Sequence, residues 1–444
     1  MFGLGAEHFV PFYMYIGFWV MCVVSLTKRP LWGLYYMIPF LPFRTMRVRM
    51  FAFPLGANMM SILVIAVIAG ALIHGKHLPK SKLYIIWLIY GVYIYFSMWL
   101  AFGLGNTPAP LWLSDRNFEV WKDYMVVPMI FVAASMLVED RKTIRTIIIL
   151  TAITVLAIDW VSLHSLAAGA SQSFDEGKRS RGPLAAGPNG TAAFLAQSAM
   201  FYWGLLQFVK SWKYKLIGYG LVAYSVAAAM FTFSRGGYAA LLVSILVLGI
   251  VKDRKLLLML GVFLLTWQLV VPNAVRERVT MTQDANGQLE ASAQERVDLW
   301  SESWDSFVHS PIAGNGFASF QYGHHVVENL KDTHNFYVKV MVETGILGLI
   351  LIFALLQQML ALGYRLFKRA TDPLYRGLGL GLLLAICSCM VANCFGDRWT
   401  YLEISGPLWV LLAIGVRATH LTELAQAKEV TAPKADVPVA LYAG

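Results

Sequence analysis

Residues 57–74 read ANMMSILVIAVIAGALIH, a run of eighteen residues without a single charged side chain. A helix of this length is about 27 Å long, because each residue adds roughly 1.5 Å. That length is close to the thickness of the hydrocarbon core of a bilayer, and such a run is typical of a transmembrane helix. This stretch therefore predicts a membrane protein.

Similar apolar runs recur along the chain. Hydrophobic residues make up 58% of the 444 residues and charged residues only 14%, against about 25% in soluble domains. We expect apolar spans at 8–26, 31–43, 57–74, 83–103, 121–138, 145–163, 191–209, 213–233, 237–251, 256–272, 335–362, 374–395 and 403–416. The second and last are short, so the sequence predicts an all-α polytopic bundle with 12 or 13 spans.

The formal net charge of +10 is compatible with nucleic-acid binding, but the distribution of the cations argues against it. Most Lys and Arg residues lie in short clusters between alternate spans, as at 28–29, 76–82, 141–145, 210–215, 252–255 and 365–376. The positive-inside rule predicts that this set is cytoplasmic. Arg44, Arg47 and Arg49 are an exception: either the N-terminal helix count is off by one, or these arginines act on the outer side.

This topology predicts that the segments 164–190, 234–237, 273–334 and 396–402 share the outer face. We divide the chain into N-terminal membrane helices (1–163), membrane helices with the first outer loop (164–272), a large outer loop (273–334), C-terminal membrane helices (335–416) and a cytoplasmic tail (417–444). The large loop is too long for a simple connector. It contains a predicted helix at 292–309 with an aromatic stripe, suited to lie at the membrane interface or to cap a cavity.

The motif Thr232-Phe-Ser-Arg-Gly-Gly-Tyr238 joins two spans without room for an ordinary loop. Its two glycines permit a sharp reversal and a close backbone approach. Arg235 presents a planar fork of donors that suits phosphate. The alternative is that Arg235 simply extends toward the lipid headgroups.

A second motif, residues 178–190, carries Arg179 and Arg181 and leads into a helix that we expect to begin at Thr191. Helix N-termini attract anions, although the loop can equally be a solvated basic segment. Arg276, Arg278 and Arg296 add cations in the large loop.

His334 and Asn335 follow Asp332 at the predicted outer mouth of the next span. A histidine there can exchange a proton near neutral pH, but most single histidines are structural, and His324 and His325 are rivals. Three histidines suggest a metal only weakly, because adjacent side chains point apart. The sequence contains no nucleotide-binding loop, serine elbow or HExxH motif, so we expect no metal and no cofactor.

Taken in order, several motifs resemble the O-antigen ligase and polymerase superfamily. They are the loop with Arg181 and Gly187-Pro-Asn189, the turn Ser234–Gly237, Arg296 with Trp300, Pro311 and Gly314-Asn-Gly316, and His334-Asn335 with Glu343, Gly345 and Gly348. The resemblance spans roughly 180–350.

The resemblance implies a GT-C-like, inverting and metal-independent glycosyltransferase in the bacterial inner membrane, with its active site facing the periplasm. It implies an undecaprenyl-pyrophosphate-linked glycan as donor. The acceptor is lipid A–core in a ligase, or a growing lipid-linked glycan in a polymerase. On this basis we expect His334 and Arg235 to be catalytic, and Arg181, Arg179, Arg278, Arg296 and Asn335 to bind the pyrophosphate or glycan. Partners are these glycans and membrane lipids, with no nucleic acid.

A lipid-linked glycan flippase or another transporter is the competing interpretation. It predicts paired repeats and cations lining a cavity from both faces, and the sequence shows neither.

Overall fold

The computed structural model describes residues 9–112, 115–166, 172–281, 291–322 and 333–431. Their regular structure is helical, which confirms the all-α class. In chain order the helices are α1 (Val10–Thr27), α2 (Pro30–Phe40), α3 (Arg44–Arg49), α4 (Met59–Ile73), α5 (Lys82–Gly103), α6 (Arg116–Leu137), α7 (Arg141–His164), α8 (Gly187–Leu206), α9 (Trp212–Met230), α10 (Arg235–Val251), α11 (Lys255–Val270), α12 (Asn273–Thr280), α13 (Ala291–His309), α14 (Ser319–Tyr322), α15 (Phe336–Arg369), α16 (Pro373–Asn393) and α17 (Leu402–Thr431).

Each of the thirteen predicted apolar runs coincides with one of these helices, but the predicted count of 12 or 13 membrane spans stays a prediction. Within the described residues, eight helices are long and apolar enough to cross a membrane. A ninth span results if α11 and α12, which meet at 112°, are counted as one broken span. The chain is therefore a multi-pass membrane protein.

Helix α8 lies at the centre of the bundle, and nearly all of its side chains are buried. It packs against α9, α10 and α16. A Cβ on Gly204 would lie 2.7 Å from the Cα of Gly381 in α16, so the two backbones touch. Such close contacts favour van der Waals packing between helices in a membrane, where the hydrophobic effect between helices is absent.

Two helix boundaries differ from the sequence prediction. Helix α8 begins at Gly187 and not at Thr191, because Pro188 occupies the first turn, where its missing N–H costs no hydrogen bond. Helix α17 continues to Thr431, well beyond the predicted end at 416. The hydropathy pattern predicts only the apolar part of α17, because the rest of the helix is polar.

The loops are found at two ends of the bundle. The insert end carries the segments 172–186, 231–234, 271–281, 311–318, 333–335 and 394–401. The basic end carries the segments 74–81, 138–140, 207–211, 252–254 and 370–372. Ion pairs join neighbouring loops of the basic end: Lys76 lies 2.7 Å from Glu139, and Arg141 lies 2.8 Å from Asp372. The alternating cation clusters thus share one end.

Candidate active site

The turn between α9 and α10 is built by packing more than by glycine flexibility. The backbone reverses at Phe233, a buried residue with a φ of +51°. The Ser234 hydroxyl then accepts the Gly237 N–H at 3.3 Å and caps α10. Cβ atoms at Gly236 and Gly237 would lie 2.7 Å from the Phe395 side chain and 2.6 Å from that of Ala192. The two glycines therefore permit the close approach of the neighbouring side chains. The backbone reverses at Phe233 and not at the glycines, so the predicted position of the reversal is wrong.

Arg235, at the start of α10, and Arg278, on α12, both contact Met281. The Arg235 guanidinium donates to the Met281 carbonyl at 2.9 Å, and an Arg278 nitrogen lies 3.8 Å from the Met281 sulfur. Arg278 is only 7% exposed and lies 4.8 Å above the ring of Phe174. A buried cation beside an aromatic ring is weakly hydrated, which strengthens its attraction for an anion.

Arg179 is held within the fold. Its guanidinium donates to the Thr232 carbonyl at 3.0 Å, to Asn189 at 2.7 Å and to Glu176 at 2.5 Å. These bonds tie the first outer loop to the turn and to the start of α8. The substrate-binding role expected for Arg179 stays a prediction, since a ligand would have to displace one of these partners.

Arg181, two residues on, is exposed. Its backbone carbonyl accepts the Thr191 hydroxyl at 2.5 Å, which fixes the loop. Within the described residues its guanidinium has no hydrogen-bond or ion-pair partner. Of the two crowded arginines, Arg181 is the one that is available to a ligand.

His334 and Asn335 stand directly before α15. Asn335 caps the helix, because its side-chain oxygen accepts the N–H groups of Tyr337 and Val338 at 3.0 and 3.4 Å. Its predicted role in substrate binding stays untested, and capping is what the structure shows. His334 has a φ of +52° and lies 3.8 Å from a Glu295 oxygen.

Helix α13 brings Glu295 to this histidine. The Trp300 indole donates to the Thr333 carbonyl at 2.9 Å, and Leu299 is fully buried. Trp300 and Trp304 are 40% and 57% exposed, which fits the expected position at the membrane interface better than the alternative role as the cap of a cavity. A carboxylate beside an imidazole can orient the ring and stabilise its protonated form. The sequence did not identify Glu295, which is distant in the chain.

The remaining predicted arginines lie on the insert helices. Arg296 is half-buried on α13, next to Glu295 in sequence. Arg276 is half-buried and donates to Asn273 within α12. Asp332, His324 and His325 lie outside the described residues.

A buried ion pair connects the two sides of this region. Lys339 lies 3.0 Å from Asp397, and their side chains are 9% and 3% exposed. Asp397 also accepts the Trp399 N–H and the Thr400 N–H and hydroxyl. Burial tends to raise the pKa of Asp397, but the Lys339 ammonium and the Thr400 hydrogen bonds outweigh it and hold the pKa below its usual value. The pair fixes the start of α15 against the segment 394–401, which also touches Gly236.

The predicted motif of Pro311, Gly314, Gly316 and Gly345 is structural. Helix α15 is broken at Gly345, where φ is +62° and ψ −164°. The backbone groups that the break leaves without helical partners bond to the insert segment 311–316. Asn315 and Gly316 donate to the carbonyls of Val342 and Glu343 at 2.9 and 2.8 Å, and Ile346 donates to the Pro311 carbonyl at 2.9 Å. A non-helical backbone at membrane depth requires such partners.

Arg44 and Arg47 also lie at the insert end, which settles their position in the bundle. Both donate to the carboxylate of Glu403, at 3.2 and 3.3 Å. Thr45 donates to the Pro183 carbonyl, so α3 contacts the first outer loop. The arginines therefore form a second cationic group at the insert end, next to the first outer loop.

Arg398 was missed by the sequence analysis. It is 8% exposed, and its guanidinium lies near Gly190 in the first turn of α8. The sequence did carry a signal, because Arg398 is a charged residue in a short loop between two apolar runs. A charged residue next to membrane spans suggests a functional site.

The arrangement offers fixed cations and one histidine–carboxylate pair at the same end. Gly236 on α10 and Lys339 on α15 contact the segment 394–401 at Phe395 and Asp397; Arg235 precedes Gly236 directly, and His334 lies five residues before Lys339. Arginines fixed in a site with little water can stabilise charge that develops on a leaving pyrophosphate. In the part of the chain that is described, no group of three or more His, Cys, Asp or Glu side chains is placed to hold a metal.

Comparison with known proteins finds a family that is similar to part of the chain. Residues 220–353 match the family model described as O-antigen ligase. The matched segment includes Arg235, Arg278, Arg296, His334 and the break at Gly345. No curated protein matches the chain. Residues 220–353 are thus similar to the O-antigen ligase family, which supports a relation of the chain to the O-antigen ligase and polymerase superfamily.

Proposed function

We propose that the chain is an inverting glycosyltransferase that transfers a glycan from undecaprenyl pyrophosphate to an acceptor at the insert end. The single observation that carries the proposal is that Arg235 and Arg278 both contact Met281, at its carbonyl oxygen and its sulfur, inside the segment that matches the O-antigen ligase family. The insert end then faces the periplasm and the basic end the cytoplasm of the inner membrane. The positive-inside rule supports this orientation.

In the proposed reaction the acceptor hydroxyl attacks the anomeric carbon of the donor glycan. A new carbon–oxygen bond forms while the bond from that carbon to the pyrophosphate oxygen breaks. The electron pair leaves with undecaprenyl pyrophosphate, whose growing negative charge Arg235 and Arg278 stabilise. Removing one such donor typically costs about 10²- to 10³-fold in turnover.

The proton of the acceptor hydroxyl passes to His334 as the new bond forms. Glu295, 3.8 Å away, then stabilises the imidazolium. Because pyrophosphate leaves readily, the reaction needs no strong general acid. Arg181 is exposed and binds the donor or acceptor from the first outer loop. Arg44 and Arg47 share one carboxylate, which leaves a net positive charge for the phosphates of a lipid acceptor.

We propose lipid A–core as the acceptor, and hence a ligase; a repeat-unit polymerase is the alternative. The test uses the purified chain with an undecaprenyl-pyrophosphate-linked glycan, with and without lipid A–core. Glycan appearing on lipid A–core supports the ligase. A ladder of longer lipid-linked chains in its absence supports the polymerase. Absence of transfer under both conditions contradicts the proposed activity and favours a transporter.

The same assay tests whether the reaction needs a metal. We propose that arginines replace a divalent cation at the pyrophosphate, so EDTA should leave the rate within about twofold of the control. Strong inhibition by EDTA, reversed by adding Mg²⁺ or Mn²⁺, would contradict the metal-independent mechanism.

A further inference from the structure

A cavity of 580 Å³ opens at the basic end, where α5 begins and where α15 and α17 end. Since these helices carry their other ends to the insert end, the cavity lies across the bundle from the candidate active site. Its volume falls within the range of about 300–1,000 Å³ that is typical of ligand pockets. It is a separate feature that the proposed reaction does not use.

The mouth of this cavity is cationic. Lys80 and Lys82 come from the start of α5, and Arg365 and Arg369 from the last turns of α15. All four side chains are exposed, and Glu423 is the single carboxylate in the lining. Four cations against one anion leave an excess of positive charge on one small surface.

Some neighbouring cations at the same end have partners. Lys76 pairs with Glu139, and Lys368 lies 5.2 Å above the ring of Phe367. Within the described residues, the four make no ion pair, and the one side-chain bond among them runs from Arg365 to the Ala361 carbonyl of its own helix at 3.1 Å. The fold thus leaves their charge available.

Part of the cavity lining is apolar. Leu362 and Leu366 are buried on α15, Val416 is buried on α17, and Ile85 on α5 is 62% exposed toward the surrounding lipid. The extension of α17 beyond 416 supplies the third wall, and Gln426 fastens it by donating to the Arg369 carbonyl at 3.2 Å. A free inorganic anion would gain nothing from these walls.

We propose that this cavity binds an anionic phospholipid of the leaflet on the basic side. Its phosphate lies among Lys80, Lys82, Arg365 and Arg369, and its acyl chains follow Ile85 and Leu362. Basic pockets between membrane helices are a recurring form of anionic-lipid site. A bound lipid fills the wedge between α5, α15 and α17 and so stabilises their packing.

The test measures lipid retention by native mass spectrometry on the purified full-length chain, with phosphatidylglycerol or phosphatidylcholine added. The variant is Lys82→Gln with Arg369→Gln. The matched control is Lys213→Gln with Arg254→Gln, two exposed cations of the same end that do not line the cavity. Each basic side chain near an anionic lipid contributes roughly a factor of five, so the variant should retain phosphatidylglycerol about thirtyfold more weakly.

The control should bind like the unchanged chain, phosphatidylcholine should not be retained, and excess inorganic phosphate should not displace the lipid. Phosphatidylglycerol should also raise the unfolding temperature of the unchanged chain but not that of the variant. Equal retention by both double variants would overturn the proposal. So would equal retention of the two lipids, and displacement by phosphate would indicate a site for a free anion.

Discussion

The insert end and the basic end of the bundle both collect cationic side chains, but they surround them differently. At the insert end Arg179 and Lys339 are 7% and 9% exposed and make ion pairs or several hydrogen bonds. At the basic end Lys76 and Arg141 are 32% and 54% exposed, although each has a carboxylate partner. Burying an ion costs several kcal/mol unless its partners compensate. The positive-inside rule explains exposed cations at the basic end but does not explain buried ones. The buried cations of the insert end therefore indicate a function.

Among the variants of the two ends, the largest loss of activity is expected for a substitution of His334. His334→Ala should lower turnover about 10²- to 10⁴-fold, the usual contribution of a general base, while the amount of protein in the membrane stays the same. His309→Ala is the matched control, because His309 is an exposed histidine on α13 at the same end. Rates of glycan transfer with purified variants provide the measurement. Near-normal turnover of His334→Ala would exclude it as the base.

The buried pair should give the largest effect on stability. Lys339→Met leaves Asp397 without its cation, and breaking a buried pair from one side costs about 3–5 kcal/mol. The double variant Lys339→Met with Asp397→Asn should recover part of this loss, because it removes the uncompensated charge. Unfolding in detergent, followed for the single and double variants, measures the coupling. Additive losses would show that the pair is not coupled.

Acid should weaken the same pair in a defined direction. The pKa of Asp397 is held below its usual value of about 3.9. Its contribution to stability is therefore complete at neutral pH and is lost only as the pH falls below about 4, through the folded-state value. Stability measured between pH 7 and pH 5 should not change on account of this pair. A loss that Asp397→Asn abolishes in that range would contradict the assignment.

A smaller effect is expected at the break in α15. Gly345→Ala places a Cβ 2.3 Å from the Ile312 carbonyl oxygen, in a backbone region that essentially only glycine adopts. The strain costs roughly 1–3 kcal/mol and should loosen the insert. Gly261→Ala is the control, because a Cβ there meets nothing within 4 Å. Limited proteolysis of the insert should accelerate for Gly345→Ala alone; equal rates would argue against the docking role.

Much of the fold could be predicted because the bilayer imposes a simple rule. Each apolar run of sufficient length became a helix, and the cation clusters shared one end as expected. Two predicted helix boundaries were wrong, at places where individual side chains and not hydropathy determine where a helix begins or ends. Pro188 extends α8 by one turn at its start, and the polar continuation of α17 is helical although it is not apolar.

The site was predictable in part. Arg235, Arg278 and His334 stood out as cations or a histidine in the outer segments, and in the structure both arginines contact Met281. Glu295, Asp397 and Glu403 did not stand out, because their partners are 39, 58 and more than 350 residues away in the chain. From the sequence, Arg179 and Asn335 looked equally suited to bind a ligand. In the structure their side chains make hydrogen bonds within the fold.

The claim that the insert end carries the chemistry is tested most directly by two matched arginine and lysine variants in one transfer assay. Arg235→Ala should reduce glycan transfer about 10²- to 10³-fold, as expected for the loss of one group that stabilises developing charge. Lys213→Ala, an exposed cation at the basic end, should leave transfer within about twofold of the unchanged chain. Equal activity of the two variants would contradict the account.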